Sequence, residues 1–205
     1  MDGYLAPVDL VGRLPVSALE AWIEEHRLSR WEMCEVLHEV ERTQTWQSSV
    51  APFTRYERPI VLEIGCHVGG SLAVWRECLN PRLLIGVQDT EELTVEEAER
   101  IGAERVIGRS QDSQTYESVI SLLEENSVDF LYVDGDHTYE AVRDDWEMYS
   151  PLVRRGGIAV LHDAVLEGNH TVEVHELWPE IRRDHRTKLL HDGTVPSTGA
   201  GVVFL

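Results

Sequence analysis

Two aspartates stand where they can do chemistry together. Asp134 closes the apolar run VDFLYVD, residues 128 to 134, and Asp163 closes GIAVLHD, residues 157 to 163. If these runs are neighbouring parallel strands, their final side chains reach one crevice, and two carboxylates aimed together favour a cation. The plainer alternative is that each aspartate caps the helix after it or pairs with an arginine such as Arg143. Histidines gather around the same positions: His137 follows Asp134 by three residues, His162 precedes Asp163, and His170, His175, His185 and His191 lie beyond. His137, His162 and Asp163 can also be drawn as the two-histidine, one-carboxylate face of a non-haem iron centre, although that chemistry usually sits in an all-β scaffold.

A second constellation is the turn EIGCHVGGS. Gly65, Gly69 and Gly70 allow a sharp bend and close approach of backbone to a ligand, and a helix starting there offers unpaired N–H groups. The spacing is G-x-x-x-G-G rather than the G-x-G-x-x-G of dinucleotide phosphate sites, which leaves a different nucleoside ligand open. A generic tight turn would look similar.

The elements that must position these residues alternate from Pro59 onward, apolar run then helical pattern, as in a parallel sheet covered on both faces. Strands are expected at 59–65, 82–87, 105–108, 128–134 and 157–163, with two closing strands near 187–191 and 200–205. Helices are expected at 71–79, 115–125 and near 172–184, a further one opening with the Thr94 and Glu97 capping box, and one capped by Thr138 that turns Tyr139, Val142, Trp146 and Tyr149 inward. Residues 1–58 read differently, as two amphipathic helical patterns without a strand, which sets them apart as an extension of a domain over 59–205.

The 205 residues, 42% of them hydrophobic, suit one large α/β domain. A formal net charge of -19 opposes nucleic acid and anionic membrane surfaces, which recruit lysine and arginine. Three cysteines without C-x-x-C spacing indicate neither a disulfide framework nor a zinc ribbon, so a reducing cytosol fits best. No basic leader with a long apolar run is visible, and no stretch of about 18 apolar residues suggests a span.

VLEIGCHVGGS resembles the first motif of class I S-adenosylmethionine-dependent methyltransferases. GRSQD, residues 108 to 112, is similar to the adenine-contacting segment of catechol O-methyltransferase-like enzymes. Residues 131 to 164 look like the stretch shared by small, often metal-dependent O-methyltransferases, including those acting on natural-product sugars. The resemblance implies that Glu63 and Gly65 shape the methionine end, with backbone around His67 and Ser71 at its amino and carboxyl groups. Ser110 and Gln111 would meet the adenine, unless they merely cap the next helix with Asp112. Where such enzymes present an acidic residue to the ribose, this chain has Gln88 and then Asp89, and either can accept from a hydroxyl. A divalent metal is implied at Asp134, His162 and Asp163. Oxygen ligands suit magnesium, whereas the imidazole moves preference toward manganese, iron, cobalt or zinc. His137 occupies the place of a lysine or histidine base, and Asp136 either orients it or, as is more expected, remains a solvated loop carboxylate.

The expectation is therefore a Rossmann-like, doubly wound, mostly parallel sheet, using S-adenosylmethionine and a divalent metal of magnesium or manganese type. It would methylate a hydroxyl of a small molecule, with homo-oligomerisation possible through the helical extension. The rival is a non-catalytic Rossmann-like protein that binds a nucleoside or serves assembly. A nicotinamide-dependent dehydrogenase is disfavoured by the glycine spacing. Trp22, Trp31, Trp46 and Trp178 stand as acceptor-pocket, core or interface residues.

Overall fold

The computed structural model describes residues 58–165, 172–190 and 199–205. The expected helical extension, with Trp22, Trp31 and Trp46, lies outside the described residues except for Arg58, as do His170 and His191.

Among the described residues seven strands form one sheet: β1 (Ile60–Ile64), β2 (Leu83–Gln88), β3 (Glu104–Ile107), β4 (Val128–Val133), β5 (Val153–His162), β6 (Arg186–Leu190) and β7 (Ala200–Phe204). Their order is β3-β2-β1-β4-β5-β7-β6, parallel from β3 to β5, with β7 inserted antiparallel between β5 and β6. Among the described residues five helices connect them: α1 (Gly70–Leu79), α2 (Val95–Ile101), α3 (Ser113–Ser121), α4 (Tyr139–Tyr149) and α5 (Val174–Asp184).

Strand side chains alternate faces, and both faces are covered. Ile60, Leu62 and Ile64 join Val119 of α3, Val142, Trp146 and Tyr149 of α4 and Trp178 of α5 in one core. Val61 joins Leu72, Trp75 and Leu79 of α1 and Ile101 of α2 in the other. Every residue of β1 is buried, as a central parallel strand requires. Trp178 thus belongs to the core, lying so close to Gly201 that a Cβ there would stand 2.4 Å from the indole.

Sequence boundaries hold where a cap is written into the chain. Thr94 and Glu97 form the reciprocal capping box of α2, and Thr138 accepts from the Ala141 amide at 3.4 Å to start α4. The differences have local causes. α3 ends at Ser121 rather than 125, because Leu122 and Leu123 donate to carbonyls three residues back and the EEN that follows offers nothing apolar to bury. β5 begins at Val153, four residues early, since a short 3-10 turn at Ser150–Leu152 containing Pro151 delivers extended chain directly onto Val128.

Candidate cofactor and metal site

The strand order reverses between β1 and β4, and the carboxyl ends of those strands open a crevice there. Gly65 follows β1 and Asp134 follows β4. The Asp134 amide extends the ladder to the Ile64 carbonyl at 2.8 Å, which brings the two turns into contact. Gly65 has φ 86, and a Cβ on it would stand 2.1 Å from the Asp134 carbonyl oxygen. Only glycine fits between these turns. Gly69, at φ 90, takes the N-cap of α1, whose first N–H groups then face the crevice end of the sheet.

Glu63 points to the α1 face of the sheet. Fully buried, it accepts hydrogen bonds from the Ser71 hydroxyl and from the Trp75 indole N–H at 2.8 Å. Its carboxylate thus ties β1 to α1 and holds the glycine turn from beneath, while the Ser71 hydroxyl is turned inward. Gln88, the last residue of β2, accepts from the His67 amide through Oε1 at 2.8 Å. Its Nε2 donates to Asp89 at 3.0 Å and approaches Thr90 at 3.3 Å. Gln88 therefore braces the turn at His67, whose φ of 45 needs such support, and Asp89 is the exposed carboxylate presented beyond β2.

On the other side of the crevice, Ser110 is buried and Gln111 half-buried ahead of α3. No side-chain hydrogen bond from Asp112 caps α3, so the expected capping alternative for this segment is not realised there. Gln111 Nε2 instead donates to Asp145 Oδ1 at 2.9 Å, and the Tyr149 hydroxyl donates to the Ser110 carbonyl at 2.7 Å.

Asp134, His137, His162 and Asp163 converge. Each offers one ligand atom, and these atoms all lie within 4.8 Å of one another. His162 Nδ1 stands 2.8 Å from Asp134 Oδ1 and 3.2 Å from Asp163 Oδ1. Donors sharing an octahedral cation at about 2.1 Å are separated by about 3 Å. The two carboxylates and the imidazole therefore match the spacing and chemistry of a divalent-metal site. Successive strand residues normally point to opposite faces; Asp163, at φ 58, leaves the extended conformation and lets both His162 and Asp163 reach one centre. That left-handed aspartate is a strained residue where the four side chains converge.

His137 Nδ1 lies 2.8 Å from Asp163 Oδ2, and its Nε2 is 3.8 Å from Asp134 Oδ1. The hydrogen bond to Asp163 raises its pKa, with burial opposing and the Asp134 charge adding to the rise. Arg143 pairs with Asp144 and Glu147, not with the strand-end aspartates. Asp136 accepts from the Thr138 amide at 3.0 Å, which lowers its pKa and fixes the turn into α4.

Two residues at the site are absent from the sequence-based set. Asp145 is wholly buried on α4, and its place between the inward-facing Val142, Trp146 and Tyr149 was the available signal. Glu173 donates its amide to the His137 carbonyl at 2.8 Å and accepts from the Tyr139 amide at 2.8 Å, bracing the His137 turn from the start of α5. Nothing in its neighbourhood of sequence signals that long-range contact.

Residues 62–164 match the methyltransferase domain family, and the chain belongs to it. Its fold is that of class I S-adenosylmethionine-dependent methyltransferases, as the solved structures it resembles bear out. An O-methyltransferase from Bacillus cereus in complex with SAH superposes with a TM-score of 0.56 at 15% identity, covering 100% of this chain and 93% of that one. CalS11, a TDP-rhamnose 3'-O-methyltransferase of calicheamicin biosynthesis, gives 0.57 at 13% identity over 97% and 91%. The MycE methyltransferase of the mycinamycin pathway, in complex with Mg and SAH, gives 0.51 at 17% identity over 78% and 49%. An uncharacterized protein of Acanthamoeba polyphaga mimivirus is 28% identical over 112 residues, half of each chain. One from Sinorhizobium fredii is 31% identical over 68 residues, 33% of this chain and 7% of that protein. The chain thus spans half or less of the curated relatives it matches.

Proposed function

We propose that this protein is an S-adenosylmethionine-dependent O-methyltransferase that methylates a hydroxyl of a small molecule, such as a sugar of a secondary metabolite, with help from a divalent cation. The observation that carries this reading is the meeting of Asp134, His137, His162 and Asp163 within 4.8 Å at the crevice flanked by the Gly65 turn. The Mg and SAH found with MycE, and the sugar hydroxyl named for CalS11, support the same class of reaction.

Methyl transfer is an in-line displacement: the acceptor oxygen forms a bond to the methyl carbon as the carbon–sulfur bond breaks, leaving a neutral thioether. The protein must align the two reactants, which is worth about 7 kcal/mol or more when the geometry is good. It must also take the hydroxyl proton. In the proposed site the Gly65 turn and the first turn of α1 hold the methionine end, Asp89 receives the ribose, and Ser110 with Gln111 receive the adenine. Asp134, His162 and Asp163 would hold the cation, which when bound lowers the pKa of a coordinated hydroxyl. His137 serves as the base. Its Nδ1–H donates to Asp163, which leaves the Nε2 lone pair to accept the proton.

The test is transfer of labelled methyl from S-adenosylmethionine to a panel of nucleotide sugars and glycosides, with Mg or Mn and with chelator. Activity is expected only with the cation. Asp134→Ala and Asp163→Ala are expected to abolish that stimulation while leaving SAH affinity within about threefold of the parent protein. Equal rates in chelator would refute the metal's role, and methyl transfer only to nitrogen or sulfur acceptors would refute the hydroxyl.

A further inference from the structure

Asp145 is a carboxylate with no exposure to solvent, set on α4 behind the segment assigned to the adenine. Burying a charge there is costly, and an apolar residue would pack more cheaply. What the position supplies is hydrogen-bond direction. An ionised carboxylate only accepts, so the group facing it must be a donor. Asp145 Oδ1 receives Gln111 Nε2 at 2.9 Å, and the Ala141 carbonyl, another acceptor, stands 3.5 Å from the same nitrogen. One turn further along the same helix face, the Tyr149 hydroxyl donates to the Ser110 carbonyl at 2.7 Å. Burial pushes the Tyr149 phenol upward, so it keeps its proton and remains a donor. Residues 141, 145 and 149 thus form one stripe on α4 that holds both the backbone and the amide of the Ser110–Gln111 pair.

We propose that Asp145 fixes the polarity of the Gln111 amide, leaving its carbonyl oxygen to read the base, so that the protein selects a 6-amino purine over a 6-oxo purine in its cofactor. This rests on the assignment of Ser110 and Gln111 to the adenine. An adenine amine donates to the Gln111 oxygen. A hypoxanthine carbonyl would set two acceptors against each other, and the amide cannot turn over without aiming Oε1 at the Asp145 carboxylate. Asp145 is therefore a positioning residue that acts through Gln111.

The test is calorimetric binding of S-adenosylhomocysteine and S-inosylhomocysteine to the full chain at about pH 8, where Asp145 is ionised, compared with Asp145→Asn and Gln111→Ala. The parent protein is expected to favour the adenosyl compound by about a hundredfold. Asparagine has nearly the same shape and either end of its amide can meet Gln111, so the preference should fall below about tenfold, chiefly through gained affinity for the inosyl compound. Gln111→Ala, which leaves Asp145 and the helix in place, should lose the preference through weakened adenosyl binding. A merely structural role for Asp145 would weaken both ligands equally and leave their ratio unchanged, which would overturn the inference alone. An unchanged ratio in Gln111→Ala would do the same. Failure of the parent protein to bind either compound would overturn the cofactor assignment and this inference with it.

Discussion

Gly65 shows how much one residue's missing side chain settles. Its φ of 86 and the 2.1 Å separation between a built Cβ and the Asp134 oxygen make substitution a backbone collision. Gly65→Ala is expected to cost about 2 kcal/mol or more in stability, measured by chemical denaturation, and to remove SAH binding. Gly135→Ala is the natural control. A Cβ there would meet Ile64 at 3.4 Å and Asp145 at 3.5 Å, ordinary contacts, so it should cost less than about 1 kcal/mol. Equal losses in the two variants would show that the contact between the β1 and β4 turns does not shape the crevice. The positions of Asp134 and Asp163 were legible from the chain because strand ends in a parallel sheet share an edge. The roles of Gln88 and Glu63 were not, since whether a polar side chain faces a ligand or braces a turn depends on partners distant in sequence.

At the scale of the element, α4 carries the site as much as the strands do. Burial raises Asp145 to about 6 from the ordinary 3.8; hydrogen bonding from Ser110 and Gln111 opposes the rise, and Asp136 and Asp144 add to it. A carboxyl whose pKa is raised by folding stabilises the fold in its protonated form. Its contribution is fully present below about pH 3.8 and is lost as pH climbs through about 6. The loss between pH 4.5 and 7 amounts to about 2 kcal/mol. Denaturant unfolding of the parent protein and Asp145→Asn across that range should show the difference between them shifting by this amount in favour of the variant. A difference that stays flat would mean that the carboxylate is not desolvated. The helix itself could be anticipated from Thr138 and from the spacing of Val142, Trp146 and Tyr149. Its polar duty toward residues 110 and 111 could not, because an aspartate at an inward phase reads only as an exception to the apolar stripe.

For the whole described molecule, alternation of apolar runs and helical patterns was enough to anticipate a doubly wound sheet, since parallel strands need covering helices on both faces. It was not enough to place β7 between β5 and β6, because strand order is decided by which edges remain open once the central strands have paired. The reversal of strand order between β1 and β4, within the parallel part, brings the glycine turn, the Gln88 brace and the carboxylate–histidine cluster to one edge. That crevice is therefore where the sulfonium nucleoside is expected to bind. Calorimetric titration of the full chain with S-adenosylmethionine and S-adenosylhomocysteine decides whether it does. Saturable binding of both at one site per chain, lost in Gly65→Ala, is the predicted result; no heat from either ligand at millimolar concentration would contradict it.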